Sequence, residues 1–313
     1  AVPFSWQSFP EYLDHIRPKL GINVGALIGH SAIRLFVMGP ESQEREATQE
    51  EISKMCDIVR EAMRAGALGI SSSYVDIDEN GDPVPSRFAG FDEKVALAQA
   101  MGESGRGIWQ VVPYFPEMKQ QLDNIRELGD ISLAANVPCS LQPVLSSPTS
   151  PNAEELIEAL EKEQARGARV FGQTMPRCFD LNMRLSETSM LLYALPRWKK
   201  IMDLPREQRL EQFKEQKSEL VNEMKEAKGM SGSIPFLKVG SVKSDENQRY
   251  QGQYLGAIAQ EENKELGEVI LDLSIRDNLD TEFQLQNVIN ADKQAVAKIV
   301  SHPLCHFGAS DAG

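Results

Sequence analysis

The chain is poor in cysteine, in histidine and in positive charge. Its 313 residues include only four Cys and four His. Cys56, Cys139, Cys178 and Cys305 are far apart and form neither a CxxC pair nor a dense framework. That excludes a disulfide-stapled module and points to a reducing cytoplasm. Forty-six Asp and Glu outnumber 33 Lys and Arg, for a net charge of −13. Such a surface argues against nucleic acid or an anionic membrane as the main partner. No apolar run approaches the roughly 20 residues that cross a bilayer. No GxGxxG or GxxxxGK[ST] loop follows any predicted strand, which argues against nucleotide binding.

What is present is an ordinary globular composition, 41% hydrophobic and 25% charged, in a chain long enough for one large domain or two small ones. Trp6, Phe9, Tyr12, Leu13 and Ile16 recur at helical spacing. The run Ile22 to Ile28 is continuous, apolar and partly β-branched, and predicts a strand buried on both faces. It places His30 at a strand end, where a hydrogen-bonded structural role is the simpler expectation. Thr48 to Ala65 is the clearest helix. Thr48 and Glu51 form a capping box, and Gly66 is the stop.

Strands and helices then alternate. Strands are expected at Ala67 to Ser71, Gly107 to Tyr114, Pro138 to Leu145 and Ala168 to Thr174, with helices at Phe91 to Glu103, Glu117 to Asn136 and Asn152 to Arg166. This predicts βαβ units and a parallel sheet, doubly wound or closed into a barrel. The loop from Ser72 to Gly90 exceeds the roughly 12 residues beyond which loops are often functional. Between Arg177 and Gly232 the alternation breaks into a helical insertion that could serve as a lid, with one charged helix at Arg206 to Lys228. A strand at Phe236 to Val242, a helix at Tyr254 to Glu265 and mixed signals at Val269 to Leu273 and Glu282 to Val288 follow. The chain ends in a helix, a short apolar strand and the small-residue turn Gly308 to Gly313. Asp311 sits in that turn. It is a candidate general base and metal ligand at the C-terminal end of a strand, with a helix cap as the plainer alternative.

Five segments resemble the D-aminoacylase (N-acyl-D-amino-acid deacylase) group of the amidohydrolase superfamily. They are SWQSFPEYLD, NVGALIGHSAIRLFVMG, GALGIS after its helix, YQGQYLGAIA and HPLCHFGASDAG. They occur in the family's order and span almost the whole chain. The resemblance implies a (β/α)₈ TIM-type barrel, incomplete at its N-terminus because the family's HxH motif and strand-2 cysteine would precede Ala1. It implies hydrolysis of an amide C–N bond by metal-activated water, with zinc as the cofactor and Asp311 as base and metal ligand. The family's strand-5 and strand-6 histidines should fall on GIWQVVPY and PCSLQPVL, which contain Gln110 and Gln142 instead. A neutral amide is a poor replacement for imidazole on zinc. His302 and His306 are expected to be structural.

The implied substrate is a small N-acyl amino acid or related amide. Arg177 and Arg184, just beyond the strand ending near Thr174, are the candidates to bind its carboxylate, while Arg34 is expected to buttress the fold. Two other readings stay open: an amidohydrolase acting on a cyclic amide, and a non-catalytic barrel scaffold that has lost part of its metal site. A homo-oligomer is also left open.

Overall fold

The computed structural model describes residues 5–78, 82–114, 118–146, 153–187, 189–193, 195–226 and 229–308. Five parallel strands come first: β1 (Ile28–Gly29), β2 (Gly69–Ser73), β3 (Ile108–Val112), β4 (Cys139–Leu141) and β5 (Val170–Thr174). The next three form a separate antiparallel sheet: β6 (Phe179–Met183), β7 (Lys238–Val239) and β8 (Phe283–Ile289), in the order β6-β8-β7. The last, β9 (Cys305–Phe307), returns to the first sheet and pairs in parallel with β5.

The larger sheet therefore runs β1-β2-β3-β4-β5-β9. The order is consecutive and has no switch point. A doubly wound sheet reverses its order part-way, so this is the order of a barrel wall. Among the described residues β1 and β9 are its two edges.

α1 (Phe9–Ile16) precedes the sheet, and the helices connecting its strands are α2 (His30–Met38), α3 (Gln49–Ala65), α4 (Phe91–Gly102), α5 (Met118–Ala135) and α6 (Ala153–Ala165). Local chemistry sets their ends. In α3 the Thr48 hydroxyl accepts from the Glu51 backbone N–H while the Glu51 carboxylate accepts from that of Thr48, and Gly66 stops the helix at φ 117°. α1 opens with the same box, Ser8 and Glu11. These helices pack their apolar stripes on one face of the sheet. Met55, Val59, Leu97, Met101, Ile125, Leu128, Leu156 and Leu160 join Ile70, Trp109, Leu141 and Val170 in one core.

A second core forms around the small sheet. It is built from α7 (Met190–Tyr193), α8 (Pro196–Met202), α9 (Arg206–Glu215), α10 (Lys217–Met224), α11 (Leu255–Glu262) and α12 (Leu266–Arg276), and runs from Met183 to Leu285. The chain then returns through α13 (Lys293–Ser301), whose N-cap Asp292 accepts from the backbone of Gln294 and Ala295, to β9.

Several expectations change. The run predicted as a buried strand, Ile22 to Ile28, pairs only at Ile28. Ile22 is 79% exposed and Val24 48%. β1 is a sheet edge among the described residues, and no strand on its far side covers the run. The stretch expected to be helical from Arg177 begins with a strand, β6, and the second core extends well beyond Gly232. Arg206 to Lys228 is not one helix. Gln216 leaves helical geometry (ψ 17°) and separates α9 from α10, both of which pack on α8 and α12. The Phe236 to Val242 strand shortens to Lys238–Val239 and lies in the antiparallel sheet, and Val269 to Leu273 lies inside α12. A short apolar run reads alike in a strand and a buried helix.

Candidate functional site

Alternation along the strands separates the two faces of the parallel sheet. The face opposite the helices carries Ser71, Gln110 and Ser140 in one register row, with Gln173 and His306 paired beyond them. Gln173 Nε2 donates to Ser140 Oγ at 2.6 Å, and the exposed His306 ring lies 5.4 Å from that of Phe171. In a barrel this face would be the interior, which is usually filled by branched apolar side chains. Here hydroxyls and amides stand among Ile108, Val112 and Phe171, partly open to solvent.

Of the residues expected to act, Asp311 lies outside the described residues. Gly308 is the last one described, and its N–H still donates to Thr174 O at 3.0 Å, so the β5–β9 pairing continues to that point. Arg177 and Arg184 are not brought together, because they lie before and after strand β6. The Arg177 side chain is exposed and its carbonyl accepts from Asn290. Arg184 is ion-paired with Glu282 at 2.5 Å and with Glu187 at 3.6 Å. His302 is structural, as expected: its Nε2 faces Glu161 at 3.2 Å and its Nδ1 accepts from the Leu304 N–H.

Among the described residues the face opposite the helices offers no zinc site. Its donors are the neutral groups of Ser71, Gln110, Ser140 and Gln173, with one imidazole at His306. Among the described residues no three His, Cys, Asp or Glu side chains converge as a metal site. Amide and hydroxyl oxygens suit hard cations and bind zinc poorly.

A cavity of about 610 Å³ opens at the boundary of the two cores, lined by Ser146, Phe236, Tyr254, Val288 and Asp292. Asn290, next to the lining residues in sequence, ties Ser146 to the segment after β5. Its side chain accepts from Ser146 N at 2.9 Å and donates to Met175 O at 2.9 Å, while its own N–H donates to Ser146 O.

The strongest electrostatic feature is on the helix side. His30, Arg34 and Glu93 are fully buried. His30 Nε2 lies 2.8 Å from Glu93 Oε1 and its Nδ1 2.9 Å from Ser72 Oγ. Arg34 Nη1 donates to Glu93 Oε2, and Nη2 donates to the carbonyls of Ser42 and Arg45. Burial pulls the His30 pKa below its ordinary value against the opposing pull of Glu93. Glu93, although desolvated, is held below its usual value by His30 and Arg34. This cluster confirms the structural expectation for His30 and Arg34. Glu93 was not foreseen, since its position in the first turn of α4 reads as an ordinary dipole-matching acid.

No family model matches the chain. A D-aminoacylase of Alcaligenes xylosoxydans xylosoxydans is 43% identical over 70 residues, 22% of this chain and 14% of that protein. An uncharacterised protein of Mycobacterium tuberculosis is 34% identical over 112 residues, 33% of this chain and 18% of that protein. A D-aminoacylase mutant solved with copper matches with a TM-score of 0.54 at 19% identity over 96% of this chain. The chain resembles the D-aminoacylases in sequence and in fold. The N-acyl-D-glutamate deacylase of Bordetella bronchiseptica, solved with zinc and a phosphonate inhibitor, matches equally well, at a TM-score of 0.54 and 17% identity. The chain spans about half the length of these solved structures, 51% in each case. Among the described residues no helix is long and apolar enough to cross a membrane.

Proposed function

We propose that this chain forms much of the catalytic barrel of a D-aminoacylase-like hydrolase that cleaves the C–N bond of an N-acyl amino acid. In this reading its six parallel strands are part of a (β/α)₈ wall. The observation that carries it is the 43% identical stretch shared with a D-aminoacylase, in a chain whose consecutive parallel strand order also matches that fold. Asp311 is assigned the proton of the attacking water, the role open to a strand-end carboxylate. Arg177 or Arg184 would bind the substrate carboxylate. Their separation by β6 favours one of them alone. The cavity beside Asn290 would receive the acyl group or side chain, with Phe236 and Tyr254 as its apolar walls. All four cysteines are free thiols, in keeping with a cytoplasmic setting.

The neutral inner face supports a second reading, a barrel scaffold that keeps the fold without the metal chemistry. Metal analysis of the full-length protein, with turnover of an N-acetyl-D-amino-acid panel, separates the two. Turnover that disappears in Asp311→Ala supports the hydrolase. A folded protein with no turnover on any of these substrates supports the scaffold.

A further inference from the structure

Another cavity, of about 580 Å³, opens where the segments leaving β2 and β3 meet α4 and α5. Tyr74, Arg87, Lys94, Tyr114, Asp123 and Glu127 line it. Lys94 and Glu127 neutralise one another at 2.7 Å, and the Lys94 ammonium also sits 4.3 Å from the centre of the Tyr74 ring. Three groups remain after that pair is counted. Tyr74 is only 9% exposed, and its hydroxyl, held protonated well above the ordinary range by burial and by the nearby Glu127 carboxylate, makes no hydrogen bond of normal geometry among the described residues. The Arg87 guanidinium lies 6.0 Å from the centre of the Tyr114 ring and spends one nitrogen on the carbonyls of Val75 and Asp76. No carboxylate of the described residues is in ion-pair range of it. The Asp123 side chain likewise has no partner among them.

A buried hydroxyl is rarely left unpaired, and here it lines a cavity of ligand size beside one unpaired cation and one unpaired anion. An anionic ligand would satisfy Arg87 and be repelled by Asp123; a cationic one would do the reverse. We propose that this cavity binds a small zwitterion, a free α-amino acid, with its carboxylate at Arg87, its ammonium at Asp123 and the Tyr74 hydroxyl completing the contacts. The site shares no residue with the polar row Ser71, Gln110, Ser140 and Gln173, and does not depend on the proposed hydrolysis. An N-acyl amino acid has no ammonium, so the site distinguishes the free amine from the acylated form.

Calorimetric titration of the full-length protein with D- and L-alanine, D- and L-phenylalanine and their N-acetyl derivatives tests this. At least one free amino acid is expected to bind with a Kd of about 1 mM or tighter, and its N-acetyl form about tenfold or more weakly. Arg87→Ala and Asp123→Asn should each lower affinity by about tenfold or more. Tyr74→Phe should weaken binding while leaving the thermal midpoint nearly unchanged or raised, because the hydroxyl it removes makes no hydrogen bond of normal geometry among the described residues. Equal binding of N-acetylated and free forms, absence of binding by all four amino acids, or wild-type affinity in Arg87→Ala and Asp123→Asn would overturn the proposal.

Discussion

The two faces of the parallel sheet follow opposite rules. Toward the helices, Ile70, Trp109, Val111, Cys139, Leu141 and Val170 are all sealed in the core, and the buried charged cluster of His30, Arg34 and Glu93 is paired internally. On the other side the neutral polar groups of Ser71, Gln110, Ser140 and Gln173 stand among Ile108, Val112 and Phe171, and all but Ser140 are partly open to solvent. The difference separates stability from chemistry. One face holds the fold, and the other leaves donors and acceptors available.

The comparison breaks most severely at the buried cluster. Glu93→Ala leaves the Arg34 guanidinium buried without its carboxylate and should destabilise by about 3–5 kcal/mol, read as a shift in the urea midpoint. A small change in midpoint would show that the cluster is not sealed. Neighbours on opposite faces provide a sharper test. Leu141→Ala should cost about 2–5 kcal/mol, whereas Ser140→Ala, which loses only its bond from Gln173, should cost about 0.5–1.5 kcal/mol. Equal losses would contradict the two-face description.

Acid should also act on the helix side. The folded-state pKa of His30 is depressed, so between that value and the ordinary 6.5 the unfolded chain binds the extra proton and stability falls as pH drops below about 6.5. Glu93, also depressed, adds a further loss as pH falls below its ordinary 4.5. Thermal midpoints measured from pH 8 to pH 4 should decline through both windows, and His30→Gln should flatten the upper one. Removing the helix cap in Thr48→Ala, which touches neither face, should cost only about 1 kcal/mol in the same assays.

Much of the parallel half is legible in the sequence. Thr48, Glu51 and Gly66 bound α3 where the capping rules put it, the strands at Ile108, Cys139 and Val170 fall inside the predicted runs, and the strand at Gly69 overlaps its run but extends two residues further, to Ser73. The second half is less legible. Phe179 to Met183 carries no strong strand pattern, and it becomes a strand only because Phe283 to Ile289, about a hundred residues later, supplies its hydrogen bonds. Ile22 to Val24 fails in the opposite sense, with strand-like residues that find no partner. The candidate site was legible only in part: Gln110 was singled out, but Ser140 and Gln173 are ordinary polar residues until register places them beside it. The pocket residues Tyr74, Arg87 and Asp123 carry no shared motif, although the long loop that bears Arg87 was an indication.

By itself the sequence determined what neighbouring residues settle: helix caps, helix stops, the βαβ alternation and the resemblance to D-aminoacylases. Tertiary structure decided which runs became paired strands, which face kept its polar groups, and that Glu93 would be the partner of His30 and Arg34. Caps and periodicity act over a few residues, whereas strand pairing and buried charge pairing depend on partners that only the folded chain brings together.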